Sequence, residues 1–131
     1  MRKYKNSYGS FSSYNNQIVK DKIIFEKSTR LLNMICEGSD IKILLPGIYL
    51  INIIAHLQEE GTIGISINNK LLEETIKKSN KSNNIFVHEI VKIKESDILN
   101  IINVSEKELI IKPIGEKHSN QSIDLTIYKI G

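Results

Sequence analysis

Residues 44–57 read LLPGIYLINIIAHL, and beyond the turn pair Pro46-Gly47 the run stays apolar to Leu57 except at Asn52 and His56. The run is too short for a membrane-spanning helix, which needs about 20 residues, and Pro46 and Gly47 interrupt it. Its isoleucines are β-branched and stiff at χ1, which favours a strand. Side chains alternate between the two faces of a strand. Tyr49, Ile51, Ile53, Ala55 and Leu57 therefore share one face, and Ile48, Leu50, Asn52, Ile54 and His56 share the other. An antiparallel sheet of a monomeric sandwich normally wets one face. Here the second face would put Ile48, Leu50 and Ile54 into water, a row of the kind that marks an interface. Something must cover it: neighbouring copies of the chain, or a loop of its own.

The rest of the chain repeats the strand signal. Isoleucine supplies about a fifth of the 131 residues, with Trp absent and Pro at two positions. Apolar runs alternate with turn signals roughly every ten residues, and no segment is a convincing amphipathic helix; Glu73-Glu74 would also suit a helix over 71–76, which is read as a strand. Strands are expected over 22–26, 31–36, 41–45, 48–57, 62–67, 71–76, 85–93, 98–104, 109–114 and 123–130. This spacing predicts an all-β sandwich of two antiparallel sheets with about ten strands. Residues 1–17, rich in Tyr, Ser and Asn, are expected as a flexible N-terminal arm or a first strand that orders late, with 18–131 as a single domain. The terminal strand is apolar on both faces, with Ile123, Leu125 and Ile127 on one and Tyr128 and Ile130 on the other.

Several function classes find no support. The net charge is +3, and the densest basic cluster, Lys77, Lys78 and Lys81, lies in a polar segment without an aromatic platform, so no nucleic-acid partner is expected. The segment MRKYKNSYGSFSSYNNQ lacks the apolar core of a signal peptide, so synthesis in a cytoplasm, without a membrane partner, is expected. Cys36 is the one cysteine; it sits in an apolar stretch and is read as a buried, inert thiol. No nucleophile–base motif, phosphate-binding glycine loop, paired-carboxylate signature or His-x-His cluster is present, so neither an enzyme nor a cofactor is expected. Asp97 is read as a turn cap. Glu59-Glu60 and Glu73-Glu74 are read as turn and edge charges. His88 and His118 are read as surface residues.

Four segments together resemble a known family. They are Leu45-Pro46-Gly47-Ile48-Tyr49-Leu50-Ile51, then Ile65-Ser66-Ile67-Asn68-Asn69-Lys70, then residues 90–105 (IVKIKESDILNIINVS), and finally Ser122-Ile123-Asp124-Leu125-Thr126-Ile127-Tyr128-Lys129-Ile130. In order and spacing they resemble the C-terminal jelly-roll domain of bacterial collagen-like spore-surface (exosporium) glycoproteins. These belong with the complement globular head and tumour necrosis factor. Asn69 and Ser96 stand where that family has glycine. No Gly-X-Y stretch is present, so the family's collagen stalk is not carried over.

The resemblance implies a jelly-roll homotrimer in which the longest strand and the terminal strand line the threefold axis. The expected trimer interface is Ile48, Leu50, Asn52, Ile54, His56, Tyr128 and Ile130. Threefold symmetry would gather three copies of His56, yet no metal is expected there; a hydrogen-bonded or solvated histidine is the plainer reading. The expected role is structural and adhesive, in a bacterial spore coat or exosporium surface, with other spore-layer proteins as further partners. That layer would be built in the mother-cell cytoplasm. A second reading is a module binding sugars or host receptors through outer loops 77–84 and 115–122. A third is a phage tail-tip domain.

Overall fold

The computed structural model describes residues 6–113 and 121–131. Twelve strands run in chain order: β1 Tyr8–Ser13, β2 Gln17–Val19, β3 Lys27–Leu32, β4 Met34–Glu37, β5 Asp40–Ile43, β6 Gly47–His56, β7 Thr62–Ile67, β8 Lys70–Lys78, β9 Asn84–Ile93, β10 Asp97–Asn103, β11 Leu109–Ile111 and β12 Ile123–Lys129. Ten of them make two five-stranded sheets, ordered β3-β1-β12-β6-β9 and β4-β5-β10-β7-β8, and β2 pairs with β11. The pairings are antiparallel throughout. The architecture is the expected jelly-roll sandwich. From β5 onward the chain passes repeatedly from one sheet to the other, so each sheet must turn an apolar face inward.

That inner layer is largely isoleucine. Ile41, Ile43, Ile51, Ile63, Ile65, Ile85, Ile101 and Ile127 are all fully buried, with Tyr49, Phe11, Leu99 and Leu125 among them. Each large side chain moved from water into such a layer contributes about 1.5–3 kcal/mol. Tyr49 keeps its hydroxyl satisfied by donating to the Leu45 carbonyl at 2.6 Å, which also fixes the bend before Pro46. Where β7 and β8 lose register, the Thr75 hydroxyl accepts from the Ile65 N–H at 2.8 Å and donates to the Leu72 carbonyl at 2.6 Å. A buried amide is thus paired despite the break in the ladder.

Of the two forms expected for the N-terminal segment, residues 8–13 take the strand. Residues 8–13 form β1, seated between β12 and β3. Phe11 is fully buried and meets Phe25 edge-on, with ring centroids 6.1 Å apart. The serines are not signs of disorder here. Ser13 is wholly buried because its hydroxyl donates to the Ile24 carbonyl at 2.9 Å and accepts from the Glu26 N–H at 3.3 Å.

Two other segments are corrected. Residues 31–36 are not one strand. Asn33 adopts φ +58, which ends β3 in one sheet and starts β4 in the other. Residues 22–26 form only an isolated bridge, Lys22 to Ile102. Cys36 is half-exposed rather than buried, although partial burial, then the nearby Asp40 charge, raises its thiol pKa. Residues 1–5, His118 and the 115–120 part of the expected loop lie outside the described residues.

Two turns hold a residue other than glycine in the left-handed conformation. Asn69 sits at φ +65 beside Asn68 at φ +51, giving the doubly left-handed turn that joins β7 to β8. Ser96 sits at φ +67 in the turn between β9 and β10, which Asp97 caps by accepting from the Lys94 N–H at 2.8 Å. Ser96→Gly relieves about 1–2 kcal/mol of left-handed strain and loses about 0.5–1 kcal/mol to unfolded-chain freedom. A net gain of up to about 1.5 kcal/mol is expected, read as a higher urea midpoint at unchanged slope.

Candidate assembly surface

β6 lies between β12 and β9, and the three strands turn the same parity outward. Along β6 the inward residues Tyr49, Ile51, Ile53 and Ala55 are buried, whereas Ile48 and Ile54 are exposed and Leu50, Asn52 and His56 are half-buried. Register places the neighbours of each. Leu50 stands beside Ile90 of β9 and Tyr128 of β12; Tyr128 stands beside Tyr8 of β1, and Tyr8 beside Leu32 of β3. This is one apolar row across five strands. A polar row follows, with His88, Asn52, Thr126, Ser10 and Thr29. The third row contains Phe86, Ile54, Asp124 and Ser12.

All seven residues expected from the sequence therefore share one sheet face. Ile130, just past β12, is exposed and its N–H donates to the Ile48 carbonyl at 2.8 Å. Sequence reasoning missed the β9 half of the surface: Phe86 is 53 % exposed and Ile90 62 %. The signal was available. Ile85, Val87, Val91 and Ile93 fill the inward positions of β9, so Phe86 and Ile90 between them have no core to enter. Tyr8 was missed because its segment was read as an arm.

The two histidines on this face are held by asparagines, not by each other. His56 Nδ1 lies 2.7 Å from Asn84 Oδ1, and His88 Nδ1 is bonded to Asn52 Oδ1. Among the described residues no group of three or more His, Cys, Asp or Glu side chains converges as a metal site. Among the described residues no helix is long and apolar enough to cross a membrane. Among the described residues are two further open clefts, the first of which reaches the edge of this face at Ile90. One, of about 460 Å³, is lined by residues of β8 and β9, among them Leu72, Glu74, Ile90 and Lys92, with Ile67 and Asp97. The other, of about 370 Å³, is lined by the charges Glu59, Glu60, Lys78, Glu106 and Lys107.

Asp124 is the one acid in these rows. Among the described residues it forms no ion pair, and burial raises its carboxyl pKa above the ordinary carboxylate range. The folded chain therefore binds this proton more tightly than the unfolded chain does. Ionised Asp124 penalises folding above its raised pKa, and the penalty fades as pH falls toward the unfolded value. Asp124→Asn is expected to raise the melting temperature at pH 7, with the gain disappearing at about pH 3.

A two-sheet antiparallel jelly roll with an apolar outer face on one sheet defines the class. Solved structures share that fold. The crystal structure of murine APRIL at pH 8.0 superposes with a TM-score of 0.67 at 13% identity, covering 96% of this chain and 100% of that one. Eiger TNF from S. frugiperda gives 0.65 at 12% identity, covering 99% and 94%. The globular domain of zebrafish complement 1qA protein gives 0.60 at 7% identity, covering 95% and 94%. No family model matches the chain, and no curated protein matches its sequence. At these identities the likeness is one of fold: the tumour-necrosis-factor and complement globular-head jelly roll.

Proposed function

We propose that this chain is a non-enzymatic building block that works as a homotrimer, with the outer face of the β3-β1-β12-β6-β9 sheet turned toward sister copies. The observation that carries the reading is the row Ile90, Leu50, Tyr128, Tyr8 and Leu32, flanked by Ile48, Ile54, Phe86 and Ile130. A contiguous apolar face of this extent marks an interaction site. Each aliphatic residue buried there adds about 1.5–3 kcal/mol before ordering costs. The fold shared with the complement and tumour-necrosis-factor structures supports the same reading.

The proposed setting is the coat or exosporium surface of a bacterial spore, where the trimer is structural and adhesive and meets other spore-layer proteins. The four sequence segments that resemble the exosporium glycoprotein domain support this placement. Light scattering on the purified protein tests the assembly: three times the 14.9 kDa chain mass is expected. A mass of one chain overturns it. Antibody labelling of sectioned sporulating cells tests the setting, with signal expected at the outer spore layers and not at vegetative cells.

A further inference from the structure

β1 and β3 lose register in their middle. Tyr8 faces Leu32, but Ser10 faces Thr29, so Arg30 and Leu31 together stand opposite Gly9. This is a β-bulge, which bends its strand and re-aims a side chain. Arg30 adopts φ +51, a left-handed conformation strained for any residue with a Cβ. Gly9 is needed opposite it: a Cβ there would come 2.7 Å from the Phe11 ring and 3.0 Å from Leu31 Cδ2. Strain of this kind persists where the surrounding structure enforces it, and it clusters at functional positions.

The bulge brings Arg30 to an open pocket of about 510 Å³ on the sheet face, which it lines together with Tyr8, Ser10, Asn52, Thr126 and Tyr128. Arg30 is the one arginine among the described residues, and among them no carboxylate lies within 4.0 Å of it. A guanidinium is a planar fork that matches a carboxylate with two parallel hydrogen bonds. Two tyrosines at its sides would shield such a pair from water, and Tyr and Arg are the residue types that dominate binding energy at interfaces. Covering the apolar rows with a second copy would also desolvate this cation, so the covering surface must bring a negative charge.

We propose that Arg30 is the socket for a carboxylate of a second copy of this chain, and that this pair fixes the register in which copies meet. The inference rests on the assembly reading above and names its specificity-determining contact. Glu37 of β4 and Glu73 and Glu74 of β8 are the candidate donors. They are exposed, carried on strands, and without an ion-pair partner among the described residues.

Arg30→Gly makes the test clean, because glycine adopts the left-handed conformation without strain and only the guanidinium is lost. Sedimentation across a dilution series is expected to show wild-type trimer, with Arg30→Gly dissociating at a concentration at least about tenfold higher. Charge matching sets specificity between partners, so Arg30→Glu is expected to dissociate at about a hundredfold higher. One of Glu37→Arg, Glu73→Arg and Glu74→Arg is expected to restore assembly of Arg30→Glu. Circular dichroism should show all of these variants folded. Arg30→Gly assembling as tightly as wild type, or no reversal rescuing Arg30→Glu, overturns the socket while leaving the trimer standing. So does millimolar citrate raising the melting temperature of the wild type but not of Arg30→Gly, which would make the pocket a small-anion site. A wild-type mass of one chain at every concentration removes the assembly reading, and the socket with it.

Discussion

Ile90→Asp is expected to turn the assembled protein into folded single chains of 14.9 kDa. Within one chain the substitution is nearly silent, because Ile90 is largely exposed and reaches no core. Surface changes of that kind alter stability by about 0.5 kcal/mol or less. In the assembly the same carboxylate enters an apolar row beside Leu50 and is repeated in each copy. A buried charge without a partner costs several kcal/mol, far more than one aliphatic contact supplies. Light scattering should then report a third of the wild-type mass, with an unchanged circular dichroism spectrum. Ile18→Asp is the matched control: Ile18 is also an exposed isoleucine on a strand, but in neither five-stranded sheet. It should leave the mass alone. Dissociation by both substitutions, or by neither, removes the assignment of the contact to this face.

Ile51→Ala probes the opposite face of the same ribbon. Ile51 is fully buried, one residue from half-buried Leu50, and is paired with Ile127 of β12. Truncating a buried isoleucine to alanine costs about 2–5 kcal/mol, combining lost transfer energy with the cavity left behind. That is a large share of the 5–15 kcal/mol by which domains are usually stable. Urea unfolding should show the midpoint fall by a corresponding amount. Assembly would blur the reading, since association stabilises the folded state by mass action. The measurement therefore belongs in the Ile90→Asp background. Ile54→Ala, made in the same background, should shift the midpoint little, because Ile54 is half-open to water in the single chain.

Much of the sandwich could be read before the structure because period-two alternation is a direct image of the pleat. β6, β7, β9 and β12 fall within a residue or so of their expected limits. Reading failed where composition outweighed pattern. Ser10, Ser12 and Ser13 left an arm and a first strand equally open, whereas Phe11 anchors that segment in the core, and hydroxyl-to-backbone bonds make a buried serine tolerable. The split at Asn33 was hidden for another reason. Its apolar neighbours Leu31, Leu32, Met34 and Ile35 suggest continuity, and only a positive φ reveals that the chain changes sheets. The β6 and β12 parts of the candidate surface were legible from two-sided apolarity. The Arg30 pocket was not, because a bulge depends on the register of two strands and leaves no mark in either sequence alone.

The dislocation opposite Gly9 has an effect beyond aiming a side chain. Among the described residues β3 is the outermost strand of its sheet, and an outer edge offers amides to any extended polypeptide that drifts by. A straight ribbon there could template another strand, and then another, toward a fibre. With Arg30 and Leu31 crowded against a single residue, and Lys27 at its first position, that margin is bent and charged. On this side the sheet is a finite object, and lateral growth is discouraged where stacking through the broad surface is left open.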